Sequence, residues 1–148
     1  MKIWLPALLK LQFKDIFSKR NQTEKQKIGK IGEDAALRYL TNKGWRCISR
    51  NLRLGYDELD ILAISHDEKT LAIVEVRSTT QKERFPERTI GEKKRRAMLR
   101  VAKKLRTKAK RHRCQLRVDL ITVRISTEGN QIEHFEDVLR IMNAKAFG

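Results

Sequence analysis

The sequence predicts one α/β domain in which amphipathic helices cover a sheet. Two observations carry that prediction. Residues 29–43 and 91–109 repeat apolar side chains at helical spacing, whereas 45–52, the two halves of 57–77, and 116–125 are short apolar runs bounded by turn residues. In chain order they read helix, three strands, helix, strand, an alternation that builds layered α/β folds. A chain of 148 residues is long enough for one such domain to bury a core of its own.

Before the first of these elements, residues 1–17 place Leu5, Leu8, Leu9, Phe13, Ile16 and Phe17 on one helical face and Lys10, Lys14 and Asp15 on another. The apolar run 3–9 is too short to span a bilayer, and no small-residue cleavage site follows it. A basic amphipathic segment of this kind suits packing on the domain or, as the weaker alternative, an anionic membrane surface. Residues 18–27 are polar without a period. The chain thus divides into a terminal segment and linker (1–28), a domain (29–136) and an extension (137–148) whose first residues carry a weak helical pattern.

In helix 29–43, Ile28, Ile31, Ala35 and Tyr39 form a stripe widened by Leu37 and Leu40, and Gly44 stops it. Glu33 lies at the stripe's edge, open to two placements: in solvent, or leaning over the sheet. After strand 45–52, Gly55 turns the chain into the pair within 57–77. Residues 78–90 are polar, carry Pro86 and read as a loop into the second helix. That helix sets Ala97, Met98, Val101, Ala102, Leu105 and Ala109 on one face, with Lys93, Lys94, Arg95, Arg96, Arg100, Lys103, Lys104 and Arg106 around the rest. Strand 116–125 follows, with Gln131–Phe135 as an edge partner; Asp119, alternating with apolar residues, reads as structural.

Chemistry concentrates in residues 57–77. Both faces of both strands are largely apolar, so the pair is interior and its acids are partly buried. With a turn at 66–69 and Ser65 facing Thr70, an antiparallel ladder sets Asp60 opposite Glu75 and Glu58 opposite Arg77, all four on one face. Opposed carboxylates repel unless a cation sits between them. Mg2+ suits the position, since it takes one or two protein carboxylates and keeps water as its other ligands. The alternative pairs Glu75 with a nearby Arg and lets Asp60 cap a turn.

Charge points to the partner. The formal net charge is +16 and the pI about 10.3. Residues 81–117 hold 16 Lys and Arg against Glu83, Glu87 and Glu92, whereas 118–148 are net negative, so the charge forms one face and not a uniformly basic tail. A helix face so poor in acids fits a phosphate backbone. Cys47 and Cys114 stand far apart without a CxxC partner, and His66, His112 and His134 show no ligand spacing, which argues against a disulfide framework and a zinc site and suits a reducing cytoplasm. No base-reading motif is visible, leaving duplex, branched and single-stranded nucleic acid open.

The order of these residues resembles a known pattern. Gly32-Glu33 ahead of residues 35–40, then Gly44, Arg50-Asn51, Glu58-Leu59-Asp60-Ile61, Val74-Glu75-Val76, Lys94, Ala102 and Val118-Asp119 are similar to the YraN-like family of bacterial proteins, within the restriction-endonuclease-like PD-(D/E)xK superfamily. The resemblance covers about 29–123. It implies a restriction-endonuclease-like core, a mixed central sheet flanked by helices. It implies Mg2+ (or Mn2+) on Asp60 and Glu75, helped by Glu33, in a DNA endonuclease. Similarity to archaeal Holliday junction resolvases extends the implied partner to branched DNA and to a homodimer, since resolvase-like folds pair.

One departure from the pattern matters. The motif lysine falls on position 77, where this chain has Arg77, and Thr79 replaces a basic residue two positions on. A guanidinium does not give up its proton in proteins, so Arg77 serves either to stabilise charge on a phosphate or to neutralise Glu58. Lys94 is a candidate phosphate contact or substitute cation. Two readings follow: a Mg-dependent endonuclease with Glu33, Asp60, Glu75 and Arg77 in its site, or a DNA-binding module that has lost cleavage through Arg77. Both bind DNA through Lys93, Lys94, Arg95, Arg96, Arg100, Lys103 and Lys104.

Overall fold

A computed structural model describes residues 22–84, 86 and 88–140. The expected helical pattern in 1–17 lies outside the described residues. The first helix, α1 (Glu24–Asn42), starts five residues before the apolar stripe suggested, within the stretch read as linker. Its start is set by polar residues: Thr23 caps it, with Gln26 N–H donating to Thr23 Oγ1 (3.2 Å) and Thr23 N–H donating to Gln26 Oε1 (2.9 Å). It ends as expected at Gly44, whose φ of 85° lets Trp45 N–H reach back to the Leu40 carbonyl at 2.9 Å.

Strands β1 (Arg46–Leu54), β2 (Asp57–Ile64) and β3 (Thr70–Thr79) form an antiparallel meander. Helix α2 (Glu92–Arg111) then crosses over to β4 (Gln115–Arg124), which runs parallel to β3, and β5 (Gln131–Phe135) closes the edge antiparallel to β4. The mixed sheet has the order β1-β2-β3-β4-β5. A parallel pair needs such a crossover, and α2 supplies it. This is the α/β restriction-endonuclease-like core that the sequence implied. Residues 137–140 are not helical; instead Val138 N–H donates to the Val118 carbonyl (2.8 Å) and Leu139 joins the core, while the rest of the expected C-terminal helix lies outside the described residues.

Each face of the sheet carries one helix. Ala35, Ala36 and Leu40 of α1 pack on Ile61, Ala63, Ala72, Val74, Ile121 and Val123. Met98, Val101, Ala102 and Leu105 of α2 pack on Leu62, Ile64, Leu71, Ile73 and Val118 of the opposite face. The apolar runs on both faces of β2 and β3 are thus the interior strands of a three-layer arrangement. At Gly32, α1 approaches β3 so closely that a Cβ there would lie 2.5 Å from Ser78 Cβ. Among the described residues no helix is long and apolar enough to cross a membrane.

Two irregularities shape the end of the sheet where the acids lie. The β2–β3 pairing runs from Ile64↔Leu71 to Ile61↔Val74, in the expected register, and stops there; the β1–β2 pairing continues to Leu54↔Asp57. The β1–β2 hairpin therefore diverges from β3 as a two-stranded finger. In β1, Asn51 stands in the left-handed region (φ 48°) between the pairs Arg50↔Ile61 and Leu52↔Leu59. The alternation of faces slips there: Ile61 faces α1, yet Leu59 and Leu52 both join the α2-side core. Asp60 stands at the slip.

Candidate functional site

Asp60 and Glu75 face each other where β2 leaves β3. Asp60 Oδ2 accepts the Val76 backbone N–H at 2.7 Å, so its side chain takes the place of the ladder bond that the diverging strand no longer offers. Glu75 is buried, and burial first and the neighbouring Asp60 charge second push its carboxyl up to about 7. Lys94 opposes that rise, and two cations lie within ion-pair reach of Glu75. Lys94 Nζ, from the first turn of α2, lies 2.9 Å from Glu75 Oε2, and Arg77 Nε, two residues along β3, lies 3.6 Å from Glu75 Oε1. The closer of the two cations to Glu75 is thus a lysine from the helix, with an arginine, the partner that the alternative reading gave it, farther off.

The expected sharing of one face by four residues is corrected by the slip at Asn51. Glu58 does not oppose Arg77; it turns to the α1 side, its Oε2 3.9 Å from Arg53 Nε. There Glu33, Arg50, Asn51 and Glu58 line an open concavity of about 730 Å3 together with Gln26 and Lys30. Glu33 leans over the sheet, which settles its two placements. Burial first and Asp60 second raise its carboxyl, and a hydrogen bond from Asn51 and the charge of Arg50 pull it back. Arg50 Nη2 spans Asp34 (2.6 Å) and Glu33 (3.7 Å). Asp60 is therefore the common neighbour of two raised acids, Glu33 and Glu75, on opposite sides of the sheet's end.

A divalent metal finds two suitable donors here. Among the described residues no three Asp, Glu, His or Cys side chains form a ready-made ligand group. Asp60 and Glu75 nevertheless fit Mg2+, which binds through one or two carboxylates and completes its shell with water or phosphate. Zinc, with its preference for nitrogen and sulfur, does not fit.

The basic helix lies beside this site, and its charges have two orientations. Lys93, Arg95, Arg96 and Lys103 are exposed, with Arg96 paired to Glu92 at 3.1 Å. Lys94, Arg100 and Lys104 instead turn toward the β1–β2 finger. Arg100 grips Asp57 with two hydrogen bonds (2.7 and 3.0 Å), Lys104 Nζ donates to the Leu54 carbonyl (2.6 Å), and Lys94 Nζ donates to the Glu58 carbonyl (3.4 Å). The guanidinium of Arg100 holds the Asp57 carboxyl below the usual range.

Comparison with known proteins decides the family. The model of uncharacterised protein family UPF0102 matches residues 32–123, the stretch that contains every acid of the site. The chain belongs to this family. Its relatives include UPF0102 proteins of Persephonella marina, 40% identical over 64% of this chain and 81% of that one, and of Pelotomaculum thermopropionicum, 39% identical over 74% and 92%. A UPF0102 protein of Alkaliphilus oremlandii is 35% identical over 76% of this chain and 97% of its own. Among solved structures, Pyrococcus furiosus SfsA in complex with Ca2+ aligns with a TM-score of 0.36 at 15% identity, covering 79% of this chain and 65% of that one.

Within this UPF0102 chain, sequence reasoning located Glu33, Asp60, Glu75, Arg77 and Lys94 but gave no role to Asn51, Asp34 or Asp57. Asn51 had a signal: Asn is one of few residues that tolerate the left-handed region, and it interrupts a strand pattern. Asp57 had none, because Arg100 is 43 positions away. Asp119 is structural, as expected. Fully buried on the α1 face, it accepts from Arg117 (2.8 and 2.9 Å), from the Asp137 backbone N–H (3.0 Å) and sits 2.8 Å from His134 Nε2.

Proposed function

We propose that this UPF0102 protein binds DNA along α2 and cleaves phosphodiester bonds with Mg2+ or Mn2+ held by Asp60 and Glu75. The observation that carries this reading is the meeting of the two carboxylates at the fork of β2 and β3 beside a helix whose exposed face is basic. Asp60 and Glu75 would hold the metal, and the chemistry it would supply there is polarisation of the scissile phosphate and a lowered pKa for an attacking water. Asp60 is held in place by the Val76 N–H, and Glu33, its carboxyl raised by burial and by Asp60, would help to hold the metal from the α1 side. Lys94, whose Nζ lies 2.9 Å from Glu75 Oε2, supplies the ammonium that position 77 lacks and would offer its charge to a phosphate oxygen. Arg77 remains protonated and stabilises charge on the phosphate. Lys93, Arg95, Arg96 and Lys103 hold the backbone by charge. The reading places the protein in the cytoplasm, in keeping with the unpaired thiols of Cys47 and Cys114.

A second reading is favoured by the same ion pair. Lys94 and Arg77 together neutralise Glu75 without any metal, an arrangement suited to a DNA-binding module that has lost cleavage. Calorimetric titration of Mg2+ or Mn2+ into the wild type and Asp60→Ala, alone and with DNA, separates the two. Metal binding lost in the variant, together with metal-dependent cleavage of a labelled duplex, forked or four-way DNA, supports the nuclease. No metal binding under either condition overturns it and leaves the binding module.

A further inference from the structure

The finger formed by β1 and β2 ends in a side chain that the fold does not use. Among the described residues three large hydrophobic side chains are exposed: Ile31 and Leu99 at 46% and 38%, each still partly covered on its helix, and Tyr56 at 107%. Scattered exposed apolar residues need no explanation. Tyr56 differs in its mounting. Gly55 beside it turns the chain with φ 69°, and both flanks of the turn are tied to α2, Leu54 through Lys104 and Asp57 through Arg100. Lys94 adds a third tie at Glu58. The ring is thus presented to solvent on a short, fixed tip beside the basic helix.

We propose that Tyr56 is a nucleobase-stacking residue that selects DNA with an unpaired base near the carboxylate site. The inference rests on the DNA-binding reading above and adds to it a substrate class. Every base offers a π-face to an aromatic ring, but in an intact duplex both faces are covered by neighbouring bases. A tyrosine at the tip of a finger therefore gains a partner only at an end, a gap or a branch. Tyr56 stands in the turn just before β2, four residues ahead of Asp60, at most about 13 Å at 3.3 Å per residue. That is about four base steps of 3.4 Å, so the base it holds and the phosphate at Asp60 lie on one short stretch of strand. Arg100 and Lys104 act here as positioning residues. By fixing the finger before DNA arrives, they lower the ordering cost of the contact.

The test uses the full chain in EDTA, so that its outcome does not depend on cleavage. Affinities are measured for a duplex and for the same duplex with a forked end bearing 2-aminopurine at an unpaired position. The wild type is expected to prefer the fork and to quench 2-aminopurine; Tyr56→Ala loses about tenfold on the fork and under about twofold on the duplex, while Tyr56→Trp restores both affinity and quenching. Equal losses on both DNAs, no loss on either, or a loss confined to anionic vesicles assayed in parallel overturns the inference. Binding to fork and duplex that is intact and salt-dependent but in both cases indifferent to Tyr56 removes the stacking role alone. Absence of salt-dependent binding to any DNA removes the DNA-binding reading and this inference with it.

Discussion

Lys94 Nζ stands 2.9 Å from Glu75 Oε2, joining the first turn of α2 to the acid at the end of the β2–β3 ladder. The pair is asymmetric in its consequences. Glu75 is buried beside Asp60, so its ionised form is costly and its pKa is pushed up to about 7 in spite of the ammonium. Lys94 is what keeps that carboxylate ionisable near neutral pH. A group poised in this way responds to whatever changes its neighbours.

The first expected outcome concerns pH. Glu75 binds its proton more tightly in the folded state than in the unfolded chain, whose value is 4.5. Between those two values the folded protein holds more protons, so stability falls as pH rises from about 4.5 to about 7 and is lowest above that. The loss amounts to about 2–3 kcal/mol. Urea unfolding at pH 5 and pH 8 measures it, and Glu75→Gln is expected to flatten the difference. In a carboxyl NMR titration, Asp60→Asn lowers the Glu75 midpoint and Lys94→Met raises it; shifts in the reverse sense would remove the assignment of causes.

Close packing beside the site gives the second. A Cβ at Gly32 would lie 2.5 Å from Ser78 Cβ, so Gly32→Ala forces α1 away from β3 even though alanine favours a helix. We expect a net destabilisation of about 1–3 kcal/mol. Ser78→Gly in the same chain removes the atom that is struck and is expected to recover most of the loss. A double variant no more stable than Gly32→Ala would show that the contact is not the cause.

How far the sequence disclosed the site depends on the range of the interaction involved. Helical and strand periods are local, and they placed α2 and β2 to β5 within a few residues. Register also follows from local facts: the four-residue turn and the apolar pattern together put Asp60 level with Glu75. The start of α1 at Thr23 was signalled by Thr23 and Gln26 but masked by the lack of apolar residues before Ile28. The grouping of Glu58 with Arg77 failed because strict alternation assumes regular backbone, and Asn51 with its φ of 48° breaks it. The ties of Arg100 and Lys104 to the finger, across 43 and 50 positions, leave no trace in any window of sequence.

Asp119 belongs to the matched family region without belonging to the site. Its carboxyl is held low, because hydrogen bonds from His134 and Arg117 outweigh the effect of burial. Asp119→Ala leaves Arg117 and His134 facing each other without the anion between them and is expected to destabilise by about 3–5 kcal/mol. In a variant still folded at low temperature, DNA affinity is expected to match the wild type. A selective loss of affinity at unchanged stability would move Asp119 into the binding surface.

The two orientations of charge on α2 predict two kinds of variant. Lys93, Arg95 and Lys103 are exposed and take no part in the finger's ties, so each alanine substitution removes a backbone contact and little else. Each is expected to weaken binding on all DNAs alike and to reduce the slope of log affinity against log salt by about 0.9 for duplex. Arg100→Ala removes a charge and also releases Asp57, so the finger loosens. Its effect is expected to exceed one unit of salt slope on forked DNA, while on duplex it resembles the others. Arg100→Lys separates the two contributions, since it keeps the charge but cannot reproduce the two-pronged grip on Asp57. If Arg100→Lys restores fork binding in full, charge alone accounts for Arg100, and the tie to Asp57 has no part in holding the finger for DNA.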